Sequence, residues 1–267
     1  MTGLPRSVLL SGCPPFFREL PGDGRIGADR PIIPASYAES MARPRSHPAP
    51  PRITAPDLPR HLVSGRLARH ADLTGAAIGI EAGSADGAHA RLSESSLSAA
   101  SVDRIELTGG ILSDVHIGDV SAAELVARDG AWRTVTLVGG RLGTLDAGRA
   151  RWDGVEVRGV RIDYLSAPAA ILRDVRFVDC RIGTLDAPGS TLERVQFAGT
   201  TVDEFDTREL RGTDLDLRGL DALAFTDVRA LRNATVSLRQ AEAHAAALAQ
   251  ALGIEVRDDA RDERMPR

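Results

Sequence analysis

The sequence predicts an all-β solenoid, in which the chain winds through stacked parallel coils around a narrow core. Every fifth residue between Leu92 and Val202 is apolar, and a stricter pattern of residue sizes repeats with a period of twenty. Neither an α-helix, with a period of 3.6 residues, nor a flat strand, with a period of 2, produces this spacing. A fixed period of this length is typical of a solenoid whose neighbouring coils share one core.

Residue sizes at the predicted inward positions are complementary within each face. Where the centre of a pentad is Trp132 or Trp152, the residue two positions earlier is Gly130 or Ala150. Where the centre is small, as at Ala147, the corresponding partner is large. This alternation fills a narrow interior without voids or overlap. Four pentads per coil therefore predict four inward faces, with adjacent coils at the ~4.8 Å spacing of hydrogen-bonded parallel strands.

The twenty-residue pattern also orders the coils along the chain. Residues 61–90 predict an irregular first coil, because the phase slips by one before Leu92 and a bulge near residues 83–88 must absorb the offset. A second slip is expected after Leu210, with Leu223 inward in the shifted phase. A degenerate seventh coil then ends near residue 230. The regular coils are 91–110, 111–130, 131–150, 151–170, 171–190 and 191–210.

This pattern resembles that of the pentapeptide repeat family, in particular its bacterial, actinobacterial-type members. The family's ideal pentad, Ala-Asp-Leu-x-Gly, is intact at Ala71–Gly75 and partly matched at Ala90–Glu94. Elsewhere Arg, Glu, Thr or Ser replaces the Asp, so the resemblance over roughly residues 71–256 depends on periodicity more than on identity. It implies a right-handed quadrilateral parallel β-helix, which we place at residues 61–236.

Residues 237–256 predict a capping helix followed by a short strand. Ser237 and Gln240 match a capping box, and Gly253 is a helix terminator. A cap is needed because the last coil of a solenoid exposes apolar side chains and unpaired strand edges. The alternative is that this end binds a second copy of the chain. The predicted apolar face of the helix consists of Leu238, Ala241, Ala245, Leu248 and Leu252, and the predicted short strand is Ile254–Val256.

Both ends of the chain are predicted to be disordered. Residues 1–60 hold twelve of the fifteen prolines and show no apolar period, so they cannot bury enough surface to offset their ordering entropy. Met41 is an alternative start, because Met-Ala-Arg-Pro-Arg resembles the N-termini of bacterial pentapeptide repeat proteins. Residues 257–267 form a charged tail. No stretch reaches the length of a signal-peptide core or a membrane span.

Composition points to a bacterial protein of the reducing cytoplasm. All 33 basic residues are Arg, which together with abundant Ala and Gly suggests a GC-rich bacterial genome. The formal net charge of −4 does not indicate a direct nucleic-acid or membrane partner. The two cysteines, Cys13 and Cys180, make no disulfide framework.

The sequence contains no recognisable catalytic or metal-binding motif. None of the six histidines has zinc-ligand spacing, and neither cysteine supplies it. A Ser-His-Asp arrangement is spatial and stays open. We therefore assign no catalytic, cofactor-binding or metal residues and expect a protein that is not an enzyme.

Outward positions supply the candidate binding surface. One outward column carries three arginines, and a column on the adjacent face carries three aspartates. Either the arginines bind an acidic partner, or they form ion pairs with these aspartates. Asp163 and Asp203 could assist that pairing. A further column, Arg133, Asp153, Arg173 and Glu193, alternates in sign and predicts a ladder of ion pairs. The candidate surface is Arg141, Arg161, Arg181, Asp146, Asp186 and Asp206.

These observations favour a rigid scaffold that binds a protein of unknown identity. The alternative comes from the family, some of whose members imitate DNA and bind type II topoisomerases such as gyrase, with resistance to fluoroquinolones as the result. Residues 91–236 carry 23 Asp or Glu and 18 Arg, a net charge of −5. Seven coils span about 34 Å, a length over which B-DNA carries about 20 negative charges. Partial mimicry on an acidic face is compatible with this charge, but uniform imitation of DNA is not.

Overall fold

The computed structural model describes residues 47–257, which form a parallel β-solenoid of about eight turns. The predicted fold class is confirmed. Most of the predicted N-terminal tail, with Met41 and Cys13, and nearly all of the C-terminal tail lie outside the described residues. The strands are β1 Val63–Gly65, β2 Asp72–Thr74, β3 Ala76–Ile80, β4 Ser84–Asp86, β5 Arg91–Ala99, β6 Val102–Glu106, β7 Ile111–Val126, β8 Ala131–Asp146, β9 Arg151–Arg158, β10 Arg161–Ser166, β11 Ile171–Val178, β12 Arg181–Asp186, β13 Thr191–Ala198, β14 Thr200–Asp206, β15 Arg211–Thr213 and β16 Leu220–Phe225. A 3-10 turn, Val228–Leu231, and two helices, α1 Leu238–Ala243 and α2 Ala245–Ala251, follow.

Each regular strand pairs with the chain one coil later, twenty residues along. Trp132 lies beside Trp152, and Val135 beside Val155, in the pairing of β8 with β9. The same step relates Ile162 to Ile182 in the pairing of β10 with β12. The predicted inward side chains are therefore stacked on their equivalents in neighbouring coils and are buried almost completely.

The first predicted phase slip is confirmed, and the second occurs later in the chain than predicted. Ile80 pairs with Ala99, nineteen residues on, whereas Ser84 pairs with Arg104, twenty residues on, so residues 81–83 absorb the offset. After Leu210 the step of twenty persists as far as Phe225, and the next pairing, Asp216 with Thr235, spans nineteen residues. The expectation for Leu223 was wrong, since its side chain is 74% exposed. Glycine at inward position 212 does not shift the phase, because the Leu215 side chain fills the space beside it.

Three corners of the coil are formed by residues in the left-handed backbone region. The first corner comprises Gly75, Glu94, Asp114, Thr134, Gly154, Asp174, Arg194 and Asp214. The second comprises Asp119, Gly139, Gly159, Asp179 and Gly199. The third comprises His70, His89, Gly109, Asp129, Arg149, Ala169, Gly189 and Glu209. Strands β7 and β8 run without a break through the remaining corner.

Residues 47–62, here called the strap, lie extended along the first corner. The Ala49 amide donates to Asp214 Oδ1 at 3.1 Å, and the Arg52 amide donates to Asp174 Oδ1 at 2.9 Å. Pro59 lies over Gly75, with its Cγ 3.5 Å from where a β-carbon would stand. The prediction of disorder over residues 1–60 was therefore wrong for residues 47–60. These residues use backbone amides and prolines to contact the corner, a mode that leaves no apolar period in the sequence.

The C-terminal segment differs from the prediction in three respects. The capping box of Ser237 and Gln240 and the left-handed Gly253 are confirmed. The helix, however, is broken at His244 into α1 and α2. Leu238 and Leu252 are exposed, so the predicted apolar face is not buried as a whole. Ile254–Val256 does not form the predicted strand, because the chain there pairs with no strand edge among the described residues.

Candidate binding surfaces

The three arginines of the candidate surface form a column, one on each of three successive coils. Arg141 pairs in register with Arg161, and Arg161 with Arg181. Asp163 accepts hydrogen bonds from Arg141 at 2.8 Å and from Arg161 at 3.2 Å, and these bonds hold the pKa of its carboxyl below the ordinary value. Arg181 forms no ion pair within the described part of the chain. The column is thus only partly neutralised, as two arginines share one carboxylate and the third has none.

A shallow groove of about 550 Å³ lies beside Arg161 and Arg181. Its lining also includes Asp163, Asp203 and Asp221. Positive and negative side chains therefore alternate within one depression. This distribution suits a partner of mixed charge better than a simple anion.

The predicted acidic column closes turns and does not neutralise the arginine column. Asp146 and Asp206 are each 8% exposed and accept the amide of the residue two positions on, Gly148 in one case and Arg208 in the other. Asp146 is also paired with Arg128. The Arg208 guanidinium lowers the pKa of Asp206, chiefly through hydrogen bonds, against the opposing effect of burial.

Asp186 completes this column with a different partner. It accepts a hydrogen bond from the Tyr164 hydroxyl at 2.9 Å. Neither Asp186 nor the other two aspartates is paired with Arg141, Arg161 or Arg181. The structure thus places the six predicted residues on adjacent faces without joining the two columns to each other.

Among the described residues, the predicted ladder of ion pairs contains one pair, between Arg173 and Glu193. Arg173 Nε donates to Glu193 at 2.9 Å. Arg133 and Asp153 are adjacent in register but form no ion pair among the described residues. An exposed ladder of this kind stabilises a face by at most about 1 kcal/mol per pair.

A buried ion pair on the first corner was not predicted. Arg194 donates to both carboxylate oxygens of Asp174, at 2.6 and 2.8 Å, and Asp174 is only 4% exposed. Burial raises the pKa of Asp174, but hydrogen bonds from Arg194 and from the Arg52 amide outweigh it, so that the pKa lies below its usual value. Asp174 and Arg194 are twenty residues apart in the sequence, and this spacing could have predicted the ion pair. It could not have predicted the contact of Asp174 with the strap.

The C-terminal end carries an apolar groove of about 600 Å³ between the last coil and the two helices. Phe225, Leu231, Val236 and Leu248 contribute to its lining, and the Phe225 ring lies 4.9 Å from that of His244, edge to face. Leu252 also lines the groove, and both Leu252 and Leu238, at the start of α1, have three quarters or more of their surface exposed. The end of the solenoid is therefore only partly covered by its cap.

Two general features of the described residues bear on function. No group of three or more His, Cys, Asp or Glu side chains there is arranged to hold a metal ion. Nor does any helix in that part of the chain combine the length and apolar character needed to cross a membrane.

In comparisons with known proteins, no family model matches the chain and no curated protein matches it.

Proposed function

We propose that this chain is a non-enzymatic, bacterial, cytoplasmic member of the pentapeptide repeat family that acts as a rigid scaffold for another protein. The observation that carries the proposal is the unbroken step of twenty residues from β5 to β16, which fixes outward side chains at regular intervals on broad faces. A surface with fixed spacing can bind a macromolecule without ordering its own side chains first, which lowers the entropic cost of association.

The partly neutralised arginine column is the proposed contact face. The test is affinity capture from a bacterial lysate, with the wild-type chain compared with a triple variant, Arg141→Glu, Arg161→Glu and Arg181→Glu. A matched control reverses three exposed arginines of another face, Arg91, Arg151 and Arg211. We expect the wild type and the control to retain a specific protein that the first variant loses. Equal retention by all three would contradict the assignment of this face.

DNA mimicry at the C-terminal coils is the second candidate, because the negative charge is concentrated there. Residues 201–227 carry eight Asp or Glu and three Arg, a local net charge of −5. Asp203, Glu204 and Glu209 are exposed in this region, and none of them forms an ion pair with a described residue. An acidic end of this kind fits the DNA-binding surface of a type II topoisomerase better than the mixed faces do.

Inhibition of gyrase supercoiling at two salt concentrations tests this second candidate. Mimicry predicts inhibition that weakens as salt rises, and that weakens further when Asp203, Glu204 and Glu209 are changed to the corresponding amides. The control changes three exposed carboxylates elsewhere, Glu81, Asp103 and Asp119, and should inhibit like the wild type. Absence of inhibition would reject this candidate.

The C-terminal groove is the proposed contact for a second copy of the chain. A two-fold interface can place Leu238 and Leu252 of one copy against the groove of the other, which would bury the exposed leucines of both. Light scattering after size exclusion should give a dimer for the wild type and a monomer for Leu252→Asp. A wild-type monomer at high concentration would reject this partner.

A further inference from the structure

The strap covers one corner of the solenoid and leaves the equivalent corners open. Along the first corner, Asp114, Gly154 and Asp214 are half-buried and Asp174 is buried. At the second corner, Asp119 and Asp179 are exposed. The backbone has the same left-handed conformation at both corners. The strap accounts for part of this difference, since Glu94 of the first corner is exposed and Asp174 is also covered by Arg194 of the next coil.

The strap is in register with the coils beneath it. Ala49 and Arg52 are three residues apart, and their acceptors, Asp214 and Asp174, are two coils apart. Three residues of polyproline-type chain rise about 9.3 Å, and two coils rise about 9.6 Å. An extended chain thus moves by two coils in three residues, which brings the amides of Ala49 and Arg52 to Asp214 and Asp174. Any segment of the same conformation can repeat this match.

The strap's composition suits this corner chemically. Its five prolines have no N–H group, so they leave no orphan donor where the corner offers no acceptor. The amides of Ala49 and Arg52 are the ones that meet carboxylates. The strap carries two arginines against one aspartate, whereas the first corner carries four carboxylates against one arginine. Conformation, hydrogen bonding and charge thus all complement one another across this contact.

We propose that the first corner is a binding site for extended, proline-rich, basic chain segments, which the strap occupies in cis and a partner protein occupies by displacing it. The proposal rests on the scaffold function and specifies the class of partner segment. It uses the first corner and not the arginine column, so the two proposals can fail separately. The preformed polyproline conformation limits the entropy lost on binding.

The test uses the full-length chain and a fluorescent peptide of residues 47–62. The double variant Ile53→Asp, Leu58→Asp places charges at two half-buried strap positions and should release the strap. We expect the peptide to bind this variant at least tenfold more tightly than the wild type, whose site is occupied. Thr54→Asp, at an exposed strap position, is the control and should behave like the wild type.

Corner variants locate the site on the solenoid. In the strap-released background, Asp214→Asn should weaken peptide binding at least threefold, whereas Asp179→Asn at the second corner should leave it unchanged. Circular dichroism verifies the fold, and Leu58→Asp alone replaces the double variant if that chain does not fold. Failure of the peptide to bind the folded variant, or equal binding by the wild type, overturns the proposal. A wild-type dimer that the strap variant abolishes also overturns it, because the strap would then belong to a second copy.

Discussion

At the residue scale, each buried side chain has its own equivalents as neighbours. Trp132 stacks on Trp152 with ring centroids 5.0 Å apart and planes 10° from parallel. Phe177 stacks on Phe197 with the same separation. Offset or stacked aromatic pairs of this kind add about 0.5–1.5 kcal/mol to the effect of burial. A change at one inward position therefore affects the coils on both sides of it.

Trp132→Asp should unfold the solenoid. The carboxylate would be buried without a partner against Trp152, which costs several kcal/mol, and the space of the indole would be left empty. Circular dichroism and thermal melting measure the effect. Arg133→Asp places the same charge at the next, exposed position and should leave the melting temperature nearly unchanged. A well-folded Trp132→Asp chain would disprove the inward position of this residue.

At the element scale, Gln240 is one of the side chains that attach the helical cap to the last coil. Gln240 accepts from the Ser237 amide in the capping box, and its Nε2 donates to the carbonyl of Leu217 at 2.6 Å and to that of Leu220. Both carbonyls belong to the last coil, and that of Leu217 also accepts the Leu220 amide at 2.9 Å. The helix residues themselves include none that is buried, so hydrogen bonds contribute a large share of this attachment.

Gln240→Ala should loosen the cap while leaving the coils intact. Two hydrogen bonds to carbonyls and half of a capping box are lost, at about 1 kcal/mol each. Hydrogen exchange of residues 237–252 should therefore accelerate about tenfold or more. Glu242→Ala, at an exposed position of the same helix, is the control and should exchange like the wild type. Unchanged exchange in Gln240→Ala would show that the cap is held by other contacts.

At the scale of the whole molecule, carboxylates at turns and corners couple stability to pH. Burial raises the pKa of Asp216, but hydrogen bonds from the Arg218 side chain and amide outweigh this effect and leave the pKa below its usual value. The pKa values of Asp174 and Asp206 are lowered in the same direction. A carboxyl whose folded pKa is depressed stabilises the fold above its unfolded pKa, and this contribution is lost as pH falls through the folded pKa.

The melting temperature should therefore fall on acidification from pH 7 to pH 3, by about 5 °C or more. Asp216→Asn offers an internal check. It should lower the melting temperature at pH 7 and make less difference at pH 3, because pH 3 is below the ordinary pKa of an aspartate and part of the contribution of this carboxylate is then lost. A melting temperature that is independent of pH would contradict this role of the carboxylates.

A contact in this molecule could be predicted from the sequence where it imposes a repeating pattern of residue types, and could not be predicted where it does not. The columns through Trp132 and Phe177 were predictable, because burial imposes the step of twenty. The partners of Asp146 and Asp206 were not, because turn geometry joins each to a nearby amide and arginine and not to the arginine column. The strap was missed, since Ala49 and Arg52 bind through backbone amides that any residue except proline possesses.

The strap limits how the number of coils in this chain can change during evolution. A solenoid of this kind tolerates the gain or loss of a whole coil, because every neighbour keeps an equivalent partner. The strap has a fixed number of residues and is anchored at Asp214, Asp174 and Gly75. A coil inserted between these anchors would carry one of them about 4.8 Å out of reach. The strap thus serves as a molecular ruler that ties the number of repeats to the length of a segment outside them.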